Sequence, residues 1–441
     1  MQGEAEQALA GSVAVTRGQV ASALAASLFG WSLDLFDLFI ILYLAPTIGP
    51  LFFPSSVPTL SLAGVYGAFA VTLLMRPLGS AVFGAYADRQ GRKRALFAAV
   101  VGVGVATALM GAVPTIAQAG LLAPVLFLLL RLIQGLFVGG VVASTHTIGT
   151  ETVAPRWRGL VSGLTGSGGA GIGGLLASIV YYAVSAVFVG PRFAVWGWRF
   201  MFFSGILSSL VGLFLFRWLE ESPLWEQLRS GGAKVEKAPV RALFSRRYLP
   251  VLAVNVMVAA GGASQYYLTS GFLPTFLKVI NHLPQRQIGE ILIASNLAIV
   301  VWASLVGQVS ELIGRRPLFL LVGAVNLVAT PLLYFALARS GPELVGRVAL
   351  LAVVLACLGN ASIAAILIFL NERFPTAVRA TGTGLSWNVG FAVGGMMPTF
   401  TTLASPHISD LPRSVAIFLG AMTLVYLLGG LITPETRGRF E

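Results

Sequence analysis

The sequence predicts an all-α membrane protein: twelve transmembrane helices in two pseudo-symmetric six-helix bundles, with both termini cytoplasmic. Three observations predict it. Hydrophobic types make up 56% of the 441 residues and charged types only 10%, where a soluble domain averages about 25% charged. Apolar stretches long enough for a hydrocarbon core of about 30 Å, roughly 20 residues each, recur along the whole chain. The signals after the second stretch return after the eighth, 223 residues later.

The first eighteen residues lack the basic start and short apolar core of a secretory signal, so the first apolar segment is expected to stay as a span. The spans are placed at 19–44, 60–83, 95–113, 121–149, 159–184 and 197–218, then at 249–276, 288–312, 318–338, 347–370, 381–404 and 413–432. Breakers such as Pro54-Ser55-Ser56 and Gly341-Pro342 separate them. One long polar stretch, 219–248, divides six spans from six. The expected organisation is therefore an N-terminal tail (1–18), a first bundle (19–218), a cytoplasmic linker (219–248), a second bundle (249–432) and a C-terminal tail (433–441).

Net charge is +12. In a soluble chain that would point to nucleic acid. Here the loops explain it. With both termini inside, 20 Lys and Arg fall on the cytoplasmic side and 7 outside, leaving Arg76 and Arg131 within spans. That is the positive-inside pattern of a cell-membrane protein, and no nucleic-acid partner is expected. One cysteine, Cys357, and three histidines leave no disulfide framework and little for a metal site. No Lys is followed by Ser or Thr, so there is no Walker A loop and no sign of ATP use. Gly166-x-Gly168-x-x-Gly171 fits a dinucleotide fingerprint in letters only, because it lies within an apolar span. Its small residues are expected to allow close helix packing. No enzyme chemistry, cofactor or metal is implied.

The repeat is specific. Gly84-x3-Asp88-x2-Gly91-Arg92 follows span two, and Gly307-x3-Glu311-x2-Gly314-Arg315 follows span eight. Glu151-x6-Arg158 after span four is echoed by Glu372-x6-Arg379 after span ten. Two echoes at nearly the same offset argue for a duplicated six-helix unit.

These residues resemble the major facilitator superfamily. GAYADRQGRKRAL (84–96) and GQVSELIGRRPLF (307–319) match its loop signature in each half, and RLIQGLFVGG (131–140) resembles its fourth helix. Glu221-Ser222-Pro223 and Pro434-Glu435-Thr436-Arg437-Gly438 resemble its markers after helices six and twelve. Within it, GWSLDLFDLF (30–39), RPLG (76–79) and RATGTGLSWNVGFAVGG (379–395) resemble the metabolite:proton and sialate/lactate:proton symporters. Many of these relatives have Gly-Gly-Glu in helix four. Here Val141 follows Gly139-Gly140, so no acidic role is carried over to that position. The resemblance implies the major facilitator fold and alternating access. It also implies that Asp88, Arg89, Glu311 and Arg315, with Glu151, Arg158, Glu372 and Arg379, latch the bundles when the cytoplasmic side is closed.

The residues themselves point to the same chemistry. Asp34 and Asp37 are the acids placed deep in a span. Such a charge costs about 2.5–3.5 kcal/mol even on the lenient insertion scale. Arg131 lies at a matching depth in span four, so Asp37 is expected to pair with Arg131, with Asp34 assisting or contacting substrate. A static pair that fixes the bundle is the alternative. Arg76 is expected to line an inner vestibule or to snorkel to the interface. Arg131, Gln134, Gln265, Tyr266, Asn360, Trp387 and Asn388 are the candidate substrate contacts. The expected function is proton-coupled symport of a small organic acid, a lactate-like monocarboxylate first, by a monomer in the bilayer. A sugar, polyol or zwitterionic osmolyte symporter is the alternative.

Overall fold

The computed structural model describes residues 17–90, 92–145, 155–217 and 243–439. Every regular element among the described residues is helical. We number the membrane-length helices α1 (Arg17–Phe52), α2 (Pro58–Gln90), α3 (Arg92–Ala112), α4 (Leu122–Thr145), α5 (Arg158–Val187) and α6 (Phe193–Phe214). The second bundle holds α7 (Leu249–Val279), α8 (Gln285–Ile313), α9 (Arg315–Ala338), α10 (Pro342–Glu372), α11 (Thr376–Leu403) and α12 (Leu411–Ile432). Ten of these regions are long and apolar enough to span a bilayer; α3 is shorter, and α11 is diluted by small and polar residues such as Thr381, Thr383, Ser386 and Asn388. The expected linker lies mostly outside the described residues, as do Gly91 and Glu151.

α1 is longer than expected. It continues past residue 44 through Pro46 and Pro50 to Phe52. Proline ends a helix in water more readily than in a bundle, where neighbouring helices satisfy the freed carbonyls. α5, α6 and α7 each contain one π turn, at Leu164–Gly168, Phe193–Gly197 and Tyr267–Gly271. Such turns shift helix register locally and are frequent at functional sites.

The bundles meet along α5–α8 and α2–α11. Because lipid is as apolar as leucine, helices in a membrane associate through close packing of small residues and through interhelical hydrogen bonds. Both devices are present. On the face that carries the described ends of the chain, a Cβ at Gly159 would stand 2.3 Å from the Gly307 carbonyl oxygen, and one at Gly307 equally close to that of Gly159. Only glycine permits this backbone contact. Ser162 adds bonds to the Ala364 carbonyl (3.3 Å) and the Ile368 N–H (3.1 Å) of α10. On the opposite face the seam is polar. Tyr66 and Thr275 share a 2.6 Å hydrogen bond, and Asn296 donates to Tyr43 (3.0 Å) and Ser178 (3.1 Å). The bundles are thus closed against each other on both sides of the midplane.

Candidate functional site

α1 brings Asp34 and Asp37 to the centre of the molecule, both buried. Side chains three apart on a helix are offset by roughly 60° about its axis. That offset sends the two acids to different neighbours. Asp34 Oδ2 accepts from Arg76 Nη2 of α2 at 3.3 Å. Asp37 Oδ2 accepts from Ser208 Oγ of α6 at 2.9 Å.

The expected Asp37–Arg131 ion pair is not formed in this state. Arg131 Nη1 donates instead to Gln134 Oε1 at 2.7 Å, one turn along α4. Gln134 Nε2 donates to Thr107 Oγ1 of α3 at 2.7 Å, and Thr107 donates to the Val103 carbonyl at 2.8 Å. The rings of Phe127 and Phe202 stand 5.4 and 5.7 Å from the guanidinium carbon and hold it on that side. Matched depth placed the two charges in one layer, and helix rotation then aimed them at different partners. The expectation that Arg76 reaches an interface or vestibule is also corrected: Arg76 is 1% exposed. Pairing with Asp34 draws it inward, where the sequence shows only its distance from the helix end.

These four charges are poorly satisfied. Asp34 Oδ1, Asp37 Oδ1, the Nε and Nη1 of Arg76, and the Nε and Nη2 of Arg131 have no hydrogen-bond partner. Buried ion pairs repay their desolvation only when the remaining donors and acceptors are also bonded. Asp34, Leu38, Phe69, Thr72, Arg131, Gln134 and Val138 line one cleft, collapsed so far that a water-sized sphere does not fit. Asp37 and Arg76 do not line it.

The second bundle presents rings to this layer. Tyr267 meets Phe69 edge-on at 5.3 Å, Tyr266 meets Phe39 at 6.1 Å, and Trp387 stacks on Phe391 at 4.0 Å while meeting Trp31 at 5.8 Å. The hydroxyls of Tyr266 and Tyr267 and Oδ1 of Asn388 have no hydrogen-bond partner among the described residues, and none of the three residues lines the cleft. Two other candidate contacts are occupied here. Gln265 accepts from Asn326 at 2.6 Å and donates to the Gly261 carbonyl at 3.3 Å, inside its own bundle. Asn360 donates to Ser270 at 2.7 Å and to Ala356 at 2.8 Å, and accepts from Ser167 of α5 at 3.2 Å.

Thr72, Thr107 and Ser208 were not singled out from the sequence. Hydroxyls are common in apolar helices, where they usually bond their own backbone, so composition carried no signal for them. Of the expected gate residues, Gly84 is described only as part of the α2 helix, and the side chains of Asp88, Arg89 and Arg92 lie outside the described residues. Arg315 forms a complete cluster: Nε and Nη2 donate to Glu372 at 3.1 and 2.9 Å, Nη2 to Glu311 at 2.6 Å, and Nη1 to Ser310 at 2.5 Å. All of these partners belong to the second bundle. Glu435 braces the same corner by accepting from the backbone N–H of Arg315 (2.9 Å) and Arg316 (3.1 Å). Gly314 makes the α8–α9 turn at φ +99°, which glycine tolerates. Arg379 donates to the Asn371 and Phe374 carbonyls at 3.1 and 3.2 Å. Arg158 is half-buried at the start of α5.

The comparisons with known proteins agree with this architecture. A family model described as Major Facilitator Superfamily matches residues 20–434. The inner membrane metabolite transport protein YhjE of Escherichia coli is 31% identical over 421 residues, covering 94% of each chain. A proline/betaine transporter of Salmonella typhimurium is 26% identical over 430 residues, covering 96% of this chain and 85% of that one. Among solved structures, the partially occluded inward-open xylose transporter XylE of E. coli superposes with a TM-score of 0.72 at 20% identity. It covers 95% of this chain and 99% of that one. At that identity the likeness speaks for the fold alone.

Proposed function

The chain belongs to the major facilitator superfamily, and we propose that it is a proton-coupled symporter of a small carboxylate-bearing solute, working by alternating access. That it is a multi-pass membrane transporter and not an enzyme follows from the family. The proposal adds the coupling and the solute.

One observation carries it. Arg131 faces a collapsed cleft with two nitrogens unbonded, while Asp37 lies in the same layer but off the cleft. A carboxylate entering the cleft supplies what those nitrogens lack, in the bidentate geometry that guanidinium favours. Arg131 then no longer balances Asp37, and a proton on Asp37 restores neutrality. Solute and proton are thereby driven to occupy the site together. The bundles rock about it, with the glycine contact of α5 and α8 and the hydroxyl–amide seam of α1, α2, α7 and α8 as alternating closures. We assign the first closure to the cytoplasmic side, from the charge bias. The Arg315–Glu311–Glu372 cluster keeps the second bundle rigid as it moves.

A lactate-like monocarboxylate satisfies this scheme, and so does a zwitterion. The metabolite and proline/betaine transporters among the relatives give monocarboxylates no preference. A sugar leaves Arg131 without an anion and is the weaker reading. The test is uptake into proteoliposomes under an imposed pH gradient, with L-lactate, L-proline, glycine betaine and D-xylose offered in turn. Asp37→Asn is expected to abolish uphill uptake and to preserve exchange of preloaded solute. Loss of exchange as well, or gradient-independent accumulation by the unaltered protein, contradicts the coupling scheme.

A further inference from the structure

The cleft is lined by two opposite charges, each with free valences. Asp34 contributes a carboxylate oxygen without a partner, and Arg131 contributes two nitrogens. A ligand with only a carboxylate answers one of them. It also brings a second anion beside Asp34. Resting on the reading of the cleft as the solute site, we infer that Asp34 receives a cationic nitrogen and that the solute is a small zwitterion. Its carboxylate lies on Arg131 and its ammonium or quaternary nitrogen on Asp34.

Three features support this division of labour. First, the two acids of α1 are not equivalent. Asp34 lines the cleft, whereas Asp37 is turned away from it onto Ser208. One acid is therefore available to a solute and the other to a proton. Second, Arg76 makes a single long contact of 3.3 Å to Asp34 and leaves Oδ1 free. It stabilises Asp34 as an anion from behind without filling its cleft side. Arg76 is thus a positioning residue, and its spare nitrogens are the cost of a counter-ion that does not occupy the site. Third, Phe69 lines the same cleft as Asp34, and its ring meets Tyr267 of the other bundle at 5.3 Å. An aromatic residue in a cleft that also holds an acid suits an alkylated nitrogen, which is attracted to a ring quadrupole and carries apolar methyls. The four charges Asp34, Asp37, Arg76 and Arg131 sum to zero. A zwitterion leaves that sum unchanged, yet its cation lies on Asp34 and not on Asp37, so the carboxylate on Arg131 still leaves Asp37 locally unbalanced and open to a proton, which is then the net charge carried inward.

The experiment measures binding separately from coupling. Thermal stabilisation of the detergent-purified protein is titrated with L-proline, glycine betaine and L-lactate, and uptake of the same three is followed in proteoliposomes. The unaltered protein is expected to bind at least one of the two zwitterions about tenfold or more tightly than lactate. Asp34→Asn is expected to remove that preference and to leave lactate binding equal or improved. Arg76→Met is expected to weaken the preference and Arg76→Lys to restore it, which a merely structural arginine would not do. Lactate binding as tightly as the preferred zwitterion, or no binding of either zwitterion, overturns the inference. So does an Asp34→Asn protein that loses all three ligands equally. Should the variants not fold, the preference of the unaltered protein still decides. Zwitterion binding without any need for a proton gradient in uptake would overturn the coupling scheme while leaving this assignment standing.

Discussion

Arg315 and Arg131 are equally buried, each about 1% exposed, yet their surroundings are opposite. Every guanidinium nitrogen of Arg315 donates a hydrogen bond, and both its acidic partners lie in its own bundle. Arg131 uses one nitrogen and keeps two free beside a cleft between helices. Arg76 resembles Arg131 in this respect. A complete network holds a structure together, while an incomplete one is retained because something else completes it. Burial alone does not separate the two kinds of arginine, and the count of satisfied nitrogens does.

Applying one substitution to both arginines gives the sharpest test. Arg315→Met strands Glu311 and Glu372 and is expected to cost about 3–5 kcal/mol of unfolding free energy. Reversible denaturation of the purified protein in mixed micelles measures this. Arg131→Met is expected to change unfolding by no more than about 1 kcal/mol, because little bonding is lost. Its uptake should nevertheless fall by at least about a hundredfold, equivalent to roughly 2.7 kcal/mol. If the two variants lose stability alike, the contrast drawn from their nitrogens is wrong.

Smaller effects sharpen the contrast between the two seams. Tyr66→Phe removes one hydroxyl from the α2–α7 contact and is expected to shift the bundle equilibrium by about 1 kcal/mol toward opening on that face. Thiol labelling of a cysteine placed at Thr59 should rise severalfold. No change there would mean that the Tyr66–Thr275 bond is not a latch.

The smallest effect belongs to Glu435, outside the spans. Burial pushes its carboxyl up, but backbone N–H groups of Arg437, Arg315, Arg316 and Thr436 outweigh burial and hold it below its ordinary value of 4.5. A carboxyl depressed by folding contributes stability above its unfolded value and loses that contribution as pH falls through the folded one. The melting temperature should therefore decline slightly on acidification below about pH 4.5. Glu435→Gln should flatten this part of the profile. Partial solvent exposure keeps the effect small.

Much of this molecule was legible beforehand. Mid-span charge is costly enough that Asp34, Asp37, Arg76 and Arg131 stood out without any structure, and the small residues of α5 announced close packing. The partnerships were not legible. Asp37 and Arg131 agree in depth, yet depth is a one-dimensional quantity read along each helix. Whether Asp37 meets Arg131 or Ser208 depends on the rotation of α1 against α4 and α6. The same holds for Gln265, whose partner Asn326 is set by how α9 lies against α7. The loop motif at Arg315 implies a latch between bundles, whereas its bonds among the described residues brace one bundle.

The sequence by itself determined that the chain crosses a membrane many times, that its halves are duplicates and which few charges are exceptional. Transfer cost and residue spacing are local properties, additive along the chain. Only the tertiary structure decided which acid faces the cleft, which arginine backs it and which seams close. Those are matters of angle and of hydrogen-bond satisfaction between helices distant in sequence, and neither can be summed from one helix at a time.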